Sequence, residues 1–484
     1  MERKNIFALG ALAVLVVLAV FSLRSPEKGD RVGERPRPIA EVKAGTIAAL
    51  EVTQPGGKDK VTLAKKGDKW QVTSPYDKPA DQGAAKAAVE ALEKLKWGDI
   101  VTQKKETHGE LEVSDDKAVH VVAKDSGGAT LVDLYLGKIA GSATMVRVNG
   151  KDEVWQANDL YASTFKREGK TWREHAIFDL KADDADKVTI KGGGATVKLE
   201  RVPPPKGADG KDAKDEKPSS IYDAKWRIVE SDSPSIKAGD GSVVIDHGVV
   251  NRIAQGLSTL RANEFLDIAK PEELGLAPGA PGQIEITVEY KGKDAKDNKT
   301  AGVRIGQQKG EDYFVQTLDN PQIFSVKKWA MEALARIPQD IRDKTLVTLK
   351  SDQLAEVTVT QDKDVVALKY DDKAKAWKAD KLADADDAKV KAVAESFDNL
   401  TATGFIPPGA TELASLAKPT VTTVTLKPKA GAPIVIKVGD TRGDEVAVQK
   451  AGAGSPGSMD PMWLKKYQVD RFLKKPADLQ KDKK

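Results

Sequence analysis

The stretch KWQVTSPYDKPADQGAAKAAVEALEK, Lys69–Lys94, carries the pattern on which the fold turns. Two β-rich runs, Ile47–Val52 and Lys60–Ala64, lead into Trp70. Beyond it Ala85, Ala88, Leu92 and Leu95 fall at i, i+3, i+7 and i+10, which puts them on one face of a helix. The arrangement returns twice. Lys187–Ile190 and Ala195–Val202 precede Trp226, with Val250, Ile253, Leu257 and Leu260 after it. Ala355–Thr360 and Asp364–Tyr370 precede Trp377, with Val390, Val393, Phe397 and Leu400 after it. The three tryptophans share their settings, DKWQV, AKWRI and KAWKA, and read as core anchors rather than an exposed binding row.

The landmarks that follow keep the same order. A short extended piece (Trp97–Val101, Asn263–Ile268, Thr403–Ile406) leads to a Glu-Leu pair at Glu110–Leu111, Glu273–Leu274 and Glu412–Leu413. Alternating strands come next (Val119–Ala123, Ile284–Tyr290, Val421–Leu426). The strand after each ends on glycine, LYLGK with Gly137, VRIGQ with Gly306 and IKVGD with Gly439, where a positive φ would suit that residue. A further strand (Thr144–Val148, Tyr313–Leu318, Glu445–Gln449) precedes a closing helix expected to hold Tyr161, Trp329 and Trp463. Runs of strands with two helices per copy predict an α+β fold: three tandem α/β repeats with antiparallel or mixed sheets, preceded by one N-terminal transmembrane helix. Each copy is long enough to bury its own core, so separate domains are expected rather than a stacked solenoid.

That helix is read from Ile6–Leu23, IFALGALAVLVVLAVFSL, apolar except for Gly10 and Ser22. At about 1.5 Å per residue it nearly spans a ~30 Å hydrocarbon core. Cleavage after Ala19 is the competing reading, but the apolar stretch runs on past that point. The chain therefore divides into an anchor at 1–24, a tether at 25–45, repeats at 46–182, 183–350 and 351–479, and a charged tail at 480–484. Within the second repeat the Pro-, Gly- and Lys-rich insertion 203–220 is expected to be disordered. Lys/Arg counts flanking the apolar run favour a cytoplasmic C-terminus. The basic start before an apolar segment is nevertheless the layout of an export signal, so a single-pass inner-membrane protein with an extracytoplasmic, periplasmic body is expected.

Composition removes several function classes. Lys+Arg 77 against Asp+Glu 73 leaves a formal charge of +4 with both signs interleaved, which gives no nucleic-acid footprint. The absence of cysteine removes disulfides, thiolate metal sites and a thiol nucleophile. His108, His120, His175 and His247 lack metal-site spacing. The acidic group Asp380, Asp384, Asp386 and Asp387 lacks the order of a calcium loop and suits a helix start. Gly452–Gly457 matches G-x-G-x-x-G, yet Pro456 interrupts it and Asp460-Pro461 looks like the helix start. No Walker A or G-x-S-x-G sequence occurs. No catalytic, cofactor-binding or metal-ligating residue is assigned, no cofactor is expected, and the chain reads as a non-enzyme.

Together the strand pair, Trp, amphipathic helix, Glu-Leu, glycine-ended strand and closing helix resemble the bacterial family named domain of unknown function 4340. The first copy is the clearest match, through WQVTSP and LYLGKIAGSATMVRVNGKDEVWQ with its Val154-Trp155 pair. The third lacks a Val-Trp or Ile-Phe pair and has Met459-Asp460-Pro461 there. The resemblance implies a membrane helix, an extracytoplasmic body and association with an ABC-type export system of the kind linked to gliding motility. It implies no catalytic residues. The expected function is a membrane-anchored extracytoplasmic accessory or scaffolding protein, with the membrane and an ABC transporter permease as partners. A cell-wall or polysaccharide-binding module is the first alternative, and a hydrolase with an unrecognised site the second.

Overall fold

The computed structural model describes residues 37–141, 143–203, 220–239, 243–292, 294–451 and 460–481. The apolar run at 6–23, most of the tether, 204–219 of the insertion, the glycine motif at 452–457 and 482–484 lie outside the described residues. Among the described residues no helix is long and apolar enough to cross a membrane. The described residues up to Glu174 form one compact unit and those from His175 onward a second. The first unit holds one sheet and the second unit holds two.

The α+β expectation is overturned, because three wholly antiparallel sheets dominate and helix is a minor component, 21%. In the second sheet the spatial order is Trp226–Ser231, Ala195–Arg201, Ala185–Gly192, Ile284–Tyr290, Lys299–Lys309, Asp312–Thr317, Ile323–Lys327, Glu264–Phe265. Two meanders thus meet where the first strand of the domain pairs with the fifth, Ile190 opposite Ile286. The helix His247–Ser258 carries the chain from one sheet edge to the other. The first and third sheets repeat this order, and the first adds a two-residue edge strand, Lys78–Pro79. The second helix expected in each copy shrinks to a 3-10 turn at Ala162–Thr164 and to helices at Lys328–Met331 and Lys466–Phe472. Trp463 is not in such a helix but in the strand Met462–Lys465.

Period-two alternation sends one set of side chains to the helix side of each sheet. Val188, Ile190, Val197, Leu199, Ile286 and Val288 meet Val250, Ile253 and Leu257 there, all fully buried, each contributing about 1.5–3 kcal/mol through burial. Equivalent cores form around Leu50, Leu63, Val121 and Leu134, and around Val357, Leu368, Val424 and Ile436. Trp70, Trp226 and Trp377 are buried in these cores.

The long helix of each domain, Gln82–Lys94, His247–Ser258 and Asp387–Glu395, starts on a capping aspartate whose carboxylate accepts backbone N–H bonds: Asp81 from Ala84, Asp246 from Val249, Asp386 from Ala388 and Lys389. The backbone N–H of each cap donates in turn to the last turn of its own domain, to Trp172 O, Ile341 O and Leu479 O, each at 2.8 Å. The acidic residues near 380–387 thus belong to a helix start. The third helix is shorter, ending at Glu395, and Phe397 and Leu400 reach the core from a turn that includes Asn399 at φ 52°.

The glycine expectation needs a different reason. Gly137, Gly306 and Gly439 lie inside strands, each beside a register shift (Leu136/Ile139, Ile305/Gln308, Val438/Thr441), and none has a positive φ. What excludes a side chain is close approach: a Cβ on Gly137 would overlap Leu111 O, one on Gly306 would overlap Leu274 O, and one on Gly439 would overlap Ser415 Oγ. The Glu-Leu segment lies over the sheet at this point. In the first sheet it seals a small second cluster of Val113, Met145 and Val154, and in the third Leu416 packs with Ile406, Ala447 and Trp463.

Candidate functional surfaces

On the face of each sheet away from the helix, beside the small apolar clusters, antiparallel pairing sets polar side chains in rows. In the first sheet His120 pairs with Tyr135 and Tyr135 with Arg147. The imidazole stacks on the phenol ring at 4.2 Å and 6° between planes, and the Arg147 guanidinium lies over the same ring, 4.0 Å from its centroid. His120 Nε2 is 2.7 Å from Asp133 Oδ1, and Asn149 Nδ2 donates to Asp133 Oδ2 at 2.9 Å. Arg147 is buried, donating from Nε to Val113 O at 2.9 Å and bonding Asp115. Burial, reinforced by the Asp115 carboxylate, pushes the Tyr135 phenol up from its ordinary value.

The same row recurs with other chemistry. In the second sheet Glu285, Arg304 and Gln316 pair in sequence across three strands. Arg304 donates to Glu285 Oε1 at 2.9 Å and to Gln316 Oε1 at 3.3 Å. In the third sheet the row is Thr423, Lys437 and Gln449. Elsewhere on these faces lie cross-strand ion pairs such as Lys187 with Glu289 (3.0 Å) and Lys198 with Glu230 (2.6 Å), which are exposed and screened by solvent, so they contribute little to stability. Glu51 is less open, and hydrogen bonds from Lys124 and then Lys60 hold its carboxyl below the usual range.

The four histidines are dispersed among separate roles. His108 is buried with Nε2 2.9 Å from Asp152 O, and His175 has Nδ1 2.8 Å from Ala262 O beside Phe265. His247 is the first residue of its helix and accepts the Trp226 N–H on Nδ1 at 3.1 Å. Gln82 takes that position in the first domain, accepting from Trp70 N at 2.8 Å and donating to Trp70 O at 2.9 Å. Among the described residues no group of three His, Cys, Asp or Glu is placed to hold a metal ion. A cleft beside the Gln82–Lys94 helix, lined by residues including Ile39, Glu41, Leu92 and Trp97, has a volume of about 50 Å³, which accommodates water but not a metabolite.

Of the aromatics expected in the closing segments, Tyr161 and Trp329 are exposed and Trp463 is buried. Tyr467, not singled out by sequence spacing, holds the position of Trp329: each is the second residue of a short helix, and the lysine just before that helix, Lys327 or Lys465, pairs across the sheet with Asp312 or Glu445. The outer-face rows also escape single-sequence reading, since they depend on which strands are neighbours.

A helix-backed antiparallel sheet, built three times with the same strand order, defines a repeat protein rather than one large domain. The model of the family described as domain of unknown function (DUF4340) matches residues 70–279 and again residues 238–419, and the chain belongs to that family. The two matches overlap, as diverged repeated copies would make them, and each runs from within one sheet into the next. No curated protein and no solved structure matches the chain.

Proposed function

We propose that the chain is a membrane-tethered accessory or scaffolding protein of the bacterial envelope, its three domains on the extracytoplasmic side, serving an ABC-type export system. The observation that carries the reading is the recurrence of one outer-face row in three chemistries: His120–Tyr135–Arg147, Glu285–Arg304–Gln316 and Thr423–Lys437–Gln449. A common frame with different surfaces is what a scaffold needs to hold dissimilar partners at fixed places. Tethering rests on the apolar sequence from Ile6 to Leu23, and the export system on the family resemblance.

Photo-crosslinking in intact envelopes tests it, with a crosslinkable residue at position 304 or 437 of the full-length chain. The expected product is an adduct with a transporter permease, lost when residues 1–36 are deleted. Adducts only with cytosolic proteins contradict the reading.

A further inference from the structure

We propose that the closing segments are glycan-binding corners, one in each domain, built on Tyr161, Trp329 and Tyr467. Trp329 is 75% exposed and Tyr467 66%, although the residues two places on, Met331 and Val469, are buried. Tyr161, 50% exposed, directly precedes the corresponding turn of the first domain. Two copies that have diverged to different aromatic side chains thus keep a large ring in water at one register position. Burying either ring would remove far more apolar surface from water than leaving it out, so folding alone gives no reason for the exposure.

The surroundings decide the kind of ligand. The backbone N–H of Lys328 donates to Glu311 O at 2.8 Å and that of Lys466 to Asp444 O at 2.7 Å, which brings the hairpin preceding each helix up to its first turn. Lys327 pairs with Asp312 at 3.0 Å and Lys465 with Asp444 at 3.0 Å. Asn263 Nδ2 donates to Asp312 Oδ1 at 3.4 Å, and Thr403 Oγ1 donates to Glu445 Oε1 at 3.0 Å. In the first domain Lys96 pairs with Asp159, two residues before Tyr161, at 2.8 Å. The residues beside each ring along the chain and across the neighbouring strands therefore carry carboxylates, ammonium groups, and in two corners an amide or hydroxyl, with the signs nearly balanced.

This composition fits a pyranose chain. The apolar C–H face of a sugar packs on an aromatic ring, and its hydroxyls donate to carboxylates and accept from lysine. A balanced charge gives no pull toward anionic lipid, and a single ring among charges lacks the contiguous apolar centre of a protein interface. Several weak corners on one chain bind a polymer with avidity.

Co-sedimentation of the full-length detergent-solubilised chain with purified peptidoglycan sacculi tests the proposal. The parent chain should be retained on sacculi. Trp329→Ala should weaken retention about tenfold, the loss expected of one aromatic anchor, and Trp329→Ala with Tyr467→Ala should weaken it further, while Trp329→Phe and Tyr467→Phe keep most of it. Because both rings are exposed, the thermal midpoint should not move. Failure of the parent to bind sacculi, or equal retention of the double variant, overturns the proposal.

Discussion

The backbone carbonyl of Leu111 lies so close over Gly137 that a single methyl group on that glycine would collide with it, while the next residue, Lys138, donates its N–H to the same oxygen at 3.2 Å. Two landmarks that seem unrelated along the chain, a Glu-Leu pair and a glycine in a strand, are thus the two sides of one contact. It recurs as Leu274 over Gly306, and with a side chain as Ser415 over Gly439, where Ser415 Oγ also accepts the Asp440 N–H at 2.8 Å.

Gly306→Ala should destabilise the second domain by about 1–3 kcal/mol, because the new Cβ meets backbone, which yields less easily than a side chain. Gly439→Ala should cost less, since the atom in the way is a serine hydroxyl that can rotate at the expense of its hydrogen bond. Denaturant unfolding of the two variants reads the difference, and equal losses would remove this explanation of the glycines.

His247 makes the second domain sensitive to acid. Burial, and next the charge of Lys225, hold its pKa below the ordinary value, against the opposing pull of Asp246 and Asp343. A depressed folded-state pKa means that the unfolded chain takes up the proton first. The stability associated with neutral His247 is complete above about pH 6.5 and is lost as pH falls from there through the folded-state value. Protonation also turns Nδ1 from an acceptor into a donor facing the Trp226 N–H. His247→Gln should flatten this part of the pH dependence without unfolding the domain, since Gln82 already performs the task in the first domain. Thermal midpoints between about pH 7.5 and 5 decide the matter, and parallel profiles for parent and variant would contradict it.

Much of this architecture is legible in the sequence, because apolar periodicity and buried tryptophans report the core directly: Trp70, Trp226 and Trp377 are buried, and the periodic apolar residues face the three cores, although Phe397 and Leu400 do so from beyond the end of their helix. What failed depended on long-range pairing. Counting forward from Gly439 lands on Trp463, whereas strand register equates Trp329 with Tyr467, because residues 452–461 separate the last two strands of the third sheet where only 318–322 do so in the second. A longer hairpin shifts a count and leaves the register intact. The helical closing segments were overestimated for a local reason: they turn at Gly169, Pro338 and Pro476 into short 3-10 elements that return to the helix caps. The outer-face rows were invisible because alternation tells which residues face outward but not which strand stands beside which.

One fold is built three times around separate cores, and Leu257→Ala with hydrogen–deuterium exchange along the full chain tests that most directly. Leu257 is fully buried beneath the second sheet, so its truncation should cost about 2–5 kcal/mol. The prediction is faster exchange in Lys187–Ile190, Val197–Leu199 and Ile284–Tyr290, with unchanged protection in Val119–Lys124 of the first sheet and Thr422–Leu426 of the third. A matching loss of protection in all three sheets would show one cooperative core and contradict the account.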